Sequence, residues 1–258
     1  MKVTFRAHHA LLYALAVLNT QSALAGGQST ELLKNKSSRH LSGYVVAVGT
    51  GPVWARGGKT QTFYLQPDIQ KTWDAQKTHH VLASGELFLG IQRSVSSLLL
   101  GQIGIAVAAT TSTWLDGDIW EDADPEFNNF RYTYKINHTR VAIKAKLLAD
   151  INDMVQPYVS ASLGTAFNRA YDFTVTPKIF EEVPAPPFSN NTKNTFTYTV
   201  GAGVQKAIDR HWQAGLGYAF SDWGKSQLNR APGQTLNTGL SLSHLYTHEA
   251  QFYLSYVA

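Results

Sequence analysis

Histidine has the widest chemical reach of any residue type in this chain, and His79, His80, His138, His211, His244 and His248 fall in its patterned part. Near residue 245 a serine, two histidines and a carboxylate come close in sequence: Ser243, His244, His248 and Glu249. A hydroxyl activated by an imidazole that an acid orients is the machinery of acyl transfer. Alternate residues of an extended segment face opposite sides. Ser243, Thr247 and Glu249 would therefore share one face and His244, Tyr246 and His248 the other, so a single strand cannot assemble the set. The pair His79-His80 fails as a metal site for the same reason, with no third ligand in register. The absence of Cys leaves neither a thiolate site nor a disulfide framework. No Gly-rich loop follows a strand and opens a helix, so a nucleotide has no cradle and no cofactor is expected.

The remaining chemistry-bearing groups are five charges set inside apolar alternation: Glu86, Arg140, Lys144, Lys146 and Glu249. The elements that carry them read as strands with a period of two. The clearest covers 195–205, where Phe196, Tyr198, Val200, Ala202 and Val204 alternate with Thr and Gly. Further segments fall at 43–51, 81–92, 99–109, 140–148, 155–168, 212–221 and 247–257, eight in all. Short links follow the second, fourth and sixth. Long polar ones, 52–80, 111–129, 170–194 and 222–239, follow the others. This alternation of short turns and long loops, with an even strand number, predicts an all-β, eight-stranded antiparallel up-and-down transmembrane β-barrel with four external loops and short periplasmic turns.

Charge decides which solvent the apolar face meets. That face holds no Asp, Glu, Lys or Arg, whereas the opposite face is Gly, Ser, Thr and Gln with the five charges among them. A lipid-facing Lys or Arg at mid-bilayer costs roughly 2–4 kcal/mol, so the pattern is what lipid demands. The charges then lie in the lumen, where Glu86 and Glu249 are expected to pair with Arg140 and Lys144, plugging and stabilising the barrel. Eight strands leave a bore that side chains can just fill. Trp212, Tyr218, Phe220, Trp223, Phe252 and Tyr256 read as members of interfacial aromatic girdles. One parity break stands out: Phe130, Tyr132, Tyr134 and Ile136 oppose Val141, Ile143 and Ala145, through a bulge near 137–140 or because this part projects beyond the bilayer.

Residues 1–25 fit a cleaved signal peptide, with Lys2 and Arg6, an apolar stretch at 10–18 and the box Ala23-Leu24-Ala25. The apolar stretch is far short of the ~20 residues of a spanning anchor. Residues 26–41 would form a short periplasmic segment and 42–258 the barrel. The net charge of +4 includes Lys2 and Arg6, so the mature chain is nearly balanced and does not suit nucleic acid.

Segments 158–168 (YVSASLGTAFN), 215–227 (GLGYAFSDWGKSQ) and 240–256 (LSLSHLYTHEAQFYLSY) resemble the outer-membrane β-barrel superfamily of the opacity proteins and the barrel of outer membrane protein A, in particular members from gamma-proteobacteria such as Legionella. The resemblance implies an outer-membrane location, with lipids, lipopolysaccharide and the barrel-insertion machinery as partners. Such barrels commonly end in Phe, so recognition by that machinery would rest on Phe252, Leu254 and Tyr256. The expected function is non-enzymatic, serving envelope structure or recognition of a host or surface ligand through the loops. The alternatives are a lipid A deacylase, an activity that small outer-membrane barrels can carry, and a narrow pore.

Overall fold

The computed structural model describes residues 42–77, 79–150, 155–180 and 182–258, the side chains of Arg56, His79 and His80 apart. The expected signal peptide and periplasmic segment lie outside the described residues. Among the described residues thirteen strands run in chain order: β1 (Gly43–Arg56), β2 (Gln61–Gln66), β3 (Ile69–Ala75), β4 (His79–Ser96), β5 (Leu99–Thr110), β6 (Thr113–Glu121), β7 (Asn128–Ala149), β8 (Gln156–Pro177), β9 (Asn191–Ala207), β10 (Trp212–Asp222), β11 (Ser226–Gln227), β12 (Ser241–Leu242) and β13 (Tyr246–Val257). Eight of them close a ring in the order β1-β4-β5-β7-β8-β9-β10-β13, every neighbour antiparallel, with β13 returning to β1. This is an eight-stranded antiparallel up-and-down barrel, with short links at one end and the long loops at the other.

Alternation places side chains as the pleat requires. On β7, Val141, Ile143 and Leu147 point outward while Arg140, Ala142, Lys144 and Leu148 are buried in the lumen. Gly residues on the inner face leave space for two rings. A Cβ at Gly49 would lie 2.5 Å from the Tyr253 ring, and one at Gly217 would lie 2.2 Å from the Tyr158 hydroxyl. The β9–β10 turn is set by Asp209, whose Oδ1 accepts from the amides of His211 and Trp212 at 2.8 and 2.7 Å. Those bonds hold its carboxyl below the usual aspartate range.

The long connections are more ordered than a polar composition suggests. β7 pairs with β5 along its second half, as in Ile143↔Ile105, and with β6 along its first, as in Ile119↔Phe130. β6 carries β3, and β3 carries β2. Five wall strands thus continue past the rim: β1 as β2, β4 as β3, β5 as β6, and β7 and β8 in their own right. β9, β10 and β13 stop there, and the connections after β8 and β10 fold back across the extension. They are held by bonds such as Ser189 N to Arg230 O (3.3 Å) and Leu236 N to Leu65 O (3.0 Å).

The parity break on β7 is now explained. β7 and β8 keep one register from Lys135 to Leu148, so no bulge sits at 137–140. Phe130, Tyr132, Tyr134 and Ile136 are buried on the same inward face as His138 and Arg140. What changes is the polarity of the two faces. Within the barrel the outer face is apolar, whereas beyond the rim the inner face is apolar and Arg131 and Lys135 take the outer one. The register slips higher up, between Thr133 and Lys135, where Asp172 on β8 adopts φ 61°. Asp tolerates this left-handed conformation better than most residues. The slip turns Phe173 inward, onto a core with Trp73, Phe188, Leu228, Leu240 and Leu245.

Candidate functional site

Two regions bring chemistry-bearing side chains together, the barrel lumen and the external extension. In the lumen Glu86, on β4, lies between two cations of β7 across the intervening β5. Its Oε2 is 3.4 Å from Arg140 Nη2, and its Oε1 accepts from Lys144 Nζ. Arg140 Nη1 also donates to Ser221 Oγ at 3.0 Å and to Thr199 Oγ1, and its guanidinium lies 4.5 Å from the Trp223 ring centre. The Tyr253 hydroxyl accepts from Lys144 at 3.0 Å and donates to Gln251 at 2.5 Å. A buried carboxylate between two cations with hydroxyl partners is the arrangement that offsets desolvation.

Glu249 and Lys146 stand apart from the expected network. Glu249 accepts from the Ser84 hydroxyl and, among the described residues, forms no ion pair. Lys146 donates to Gln205 Oε1 at 2.5 Å and lies 3.9 Å from the Tyr158 ring centre, so an amide and a π-face replace a carboxylate. Below them Gln205 bonds to Gln156 and Gln213, and Gln102 to Gln92. A cavity lined by Glu86, Lys144, Lys146, Tyr158 and Tyr253 measures about 20 Å³. That is room for roughly one water.

Trp223 departs from its expected place in a girdle. It is 1% exposed, seated over Arg140 with its indole N–H donating to Thr247 Oγ1 at 3.0 Å. Asn168 holds this loop inward by donating to the carbonyls of Trp223 and Lys225, and His138 Nδ1 meets Asn168 Oδ1 at 2.7 Å. Trp223 falls on the inward parity of β10, with Gln213, Ala219 and Ser221, and the loop that follows the strand folds into the mouth of the barrel. Phe252 also departs: it points outward but pairs with Leu216 and Thr50, so it sits mid-wall rather than at a rim. Trp212 and Tyr256 pack edge to face, 5.2 Å apart, at the short-turn end. Near the opposite rim Phe220 stacks on Tyr246 at 5.8 Å, and Tyr218 OH meets His248 Nδ1 at 2.5 Å. Trp54, missed in the sequence because it fell within a long loop, pairs with His248.

The acyl-transfer set is not assembled. His244 Nδ1 is 2.9 Å from Asp222 Oδ2, His248 bonds Tyr218 on the outer wall, and Glu249 is inside with Ser84. Ser243 is exposed rather than turned into the lumen as expected, because β13 begins only at Tyr246. The side chains of His79 and His80 lie outside the described residues. Among the described residues no group of three His, Asp or Glu could hold a metal ion.

The external extension has its own aromatic core, which sequence patterning missed. Phe63 stacks on Trp73 at 4.1 Å, and Phe188 packs on Trp73 and Phe173 at 5.5 and 4.9 Å. Burial pushes the Tyr132 and Tyr134 hydroxyls well above the ordinary phenol range. On the distal side Lys178 bridges Asp118 at 2.9 Å and Asn128 at 2.8 Å. Burial opposes ionisation of Asp118, but the bonds it accepts from Lys178 and from Asn128 Nδ2 (3.2 Å), with the charges of Lys178 and Arg131, outweigh it and hold its carboxyl below the usual value.

No family model and no curated protein matches the chain. Solved structures do match it. Neisserial surface protein A is 13% identical over 83% of this chain and 96% of that one, with a TM-score of 0.42. OprG, an outer membrane protein from Pseudomonas aeruginosa, is 14% identical over 85% and 98%, with a TM-score of 0.46. Ail, the attachment invasion locus protein of Yersinia pestis, is 10% identical over 84% and 99%, with a TM-score of 0.32.

Proposed function

We propose that this chain is exported and inserted as an integral outer-membrane barrel, and that it is non-enzymatic, serving the envelope and recognition through its external extension. The observation that carries this reading is the inversion of the wall. Outward Val48, Leu89, Ile105, Ile143, Leu163, Val200, Leu216 and Leu254 are exposed, while Glu86, Arg140 and Lys144 are buried within. In water such a surface would be an unpartnered apolar belt far larger than a soluble monomer keeps. On β4 it runs from Val81 to Ile91. That is about 33 Å of strand, or ~25 Å along the axis at a ~40° tilt, the height of a bilayer's hydrocarbon. The aromatic clusters at the two ends of the belt then serve as girdles, and lipid and lipopolysaccharide are its solvent.

The filled lumen speaks against conduction, and the separated Ser, His and Glu groups speak against an acyl hydrolase. Membrane fractionation with heat-modifiable gel migration tests the main reading. The chain should co-sediment with outer membranes and shift on boiling, whereas a soluble monomer with no shift would refute it. An unchanged acyl pattern of lipid A with and without the gene is the expected companion result.

A further inference from the structure

The apolar wall ends differently on two sides of the barrel. Over β10 and β13 its upper edge is aromatic, with Phe220 stacked on Tyr246. Over β8 it ends on a cation. The outward column of that strand runs Val159, Ala161, Leu163, Thr165 and Phe167, and the next outward residue is Arg169, exposed and about 5 Å further along the barrel axis. Directly opposite Arg169 in the ladder stand Asn137 on β7 and Thr192 on β9, which sets their Cβ atoms roughly 5 Å away on either side. Among the described residues Arg169 forms no ion pair, and the side chains of Asn137 and Thr192 form no hydrogen bond. Arg169 is nonetheless held in place. Its guanidinium lies 4.6 Å from the Tyr171 ring centre, and the Tyr171 hydroxyl is 2.7 Å from Ser112 Oγ. One outward step above Asn137, Lys135 is taken up by Asp172 at 2.7 Å and lies 5.7 Å from the ring centre of Trp114, an indole that is 56% exposed.

A guanidinium is a planar fork of donors that matches phosphate, and this one sits just past the hydrocarbon, in the layer where lipid phosphates lie. Long cationic side chains also reach that layer for hydration alone. Hydration needs neither a ring beneath the guanidinium nor a free donor on each side of it. We propose that Arg169, flanked by Asn137 and Thr192, binds the phosphate of a phosphorylated glycolipid of the outer leaflet, with the acyl chains on Phe167 and Leu163 and the sugar against Trp114. The inference rests on the membrane reading and deepens it, naming a lipid class and its place on the wall. Asp172 does not oppose the ligand, because Lys135 neutralises it. Trp114 selects the glycolipid: a glycerophospholipid would satisfy Arg169 but has no sugar ring to set on the indole.

The test uses the full mature chain folded in detergent micelles, with bound lipid read by native mass spectrometry. The probes are bisphosphorylated lipid A, the same lipid A stripped of its phosphates, and phosphatidylglycerol. Intact lipid A should bind about tenfold or more tighter than either of the others. Arg169→Gln should bring the intact lipid down to the level of the stripped one, Arg169→Lys should keep part of the difference, and Trp114→Ala should weaken both forms of lipid A. Each variant must still show heat-modifiable migration, which separates a lost contact from a lost fold, and the comparison of intact with stripped lipid on the unaltered chain needs no variant. Equal binding of the stripped lipid, phosphatidylglycerol held as tightly as lipid A, indifference to Arg169→Gln or to Trp114→Ala, or displacement by about 10 mM inorganic phosphate, on the order of ten times a weak anion site's Kd, would overturn the proposal. A chain that stays monomeric in water and never enters micelles would instead overturn the membrane reading on which it rests.

Discussion

Replacing Glu86 by Gln keeps the shape of the side chain and its capacity for hydrogen bonds but removes the one carboxylate between Arg140 and Lys144. The three side chains are 5%, 2% and 10% exposed, so water cannot compensate. At 3.4 Å and an effective dielectric of ~20, each contact of this kind carries a gross attraction of about 5 kcal/mol, most of it offset by desolvation. What matters in the variant is two buried cations left facing each other, and breaking such a pair costs on the order of 3–5 kcal/mol. Glu86→Gln should therefore lower the urea midpoint of the refolded barrel in phosphocholine vesicles, read by tryptophan fluorescence. Adding Lys144→Met, which removes one of the stranded cations, should restore at least half of the loss. A change below about 1 kcal/mol, the scale of an exposed pair, would refute the claim that this network is enclosed.

Gly217→Ala should destabilise by about 1–3 kcal/mol, because the new methyl would sit 2.2 Å from the Tyr158 hydroxyl, and Tyr158→Phe in the same chain should relieve part of it. Leu216→Lys, in the middle of the belt, should cost ~2–4 kcal/mol in the same unfolding assay, and indifference to it would argue that water bathes that wall. The lowered Asp118 carboxyl makes the extension acid-sensitive. Its contribution is complete above the ordinary aspartate value of 3.8 and lost as pH falls through the lower folded value. Hydrogen exchange of the β6 amides should accelerate only in that acid range, and Lys178→Met should shift the onset upward. An onset near neutral pH would contradict the assignment.

All eight wall strands were legible because a wall apolar outside and small and polar inside leaves a strict alternation: Phe196 to Val204 against Thr and Gly can be read without any fold in hand. Glu86, Arg140 and Lys144 were legible for the same reason, as charges on the polar parity. The sequence set Glu86 and Glu249 alike against Arg140 and Lys144, whereas both cations meet Glu86, since which inward groups meet depends on how strands tilt around a closed ring. Glu249 thus finds Ser84, and Lys146 finds Gln205 and Tyr158. Trp223 was misplaced because it was assigned by residue type and nearness to a strand end, although it shares the parity of the inward Ala219 and Ser221. The extension reads in sequence only as long polar loops because its strands are short and its apolar members, such as Trp73 and Phe188, are far apart in sequence. The signal available was the reversed polarity of Phe130 to Ile136, which marked a stretch of β7 facing water outside and a core inside.

The chain contains no Cys, so single cysteines report one position each. Placed in turn at Val200 and Leu216 on the wall and at the exposed Arg131 and Thr176 on the extension, in folded protein in vesicles, they can carry an environment-sensitive fluorophore against brominated lipid. The account predicts strong quenching at Val200 and Leu216 and little at Arg131 and Thr176. Uniform or reversed quenching would mean that hydrocarbon does not surround the barrel.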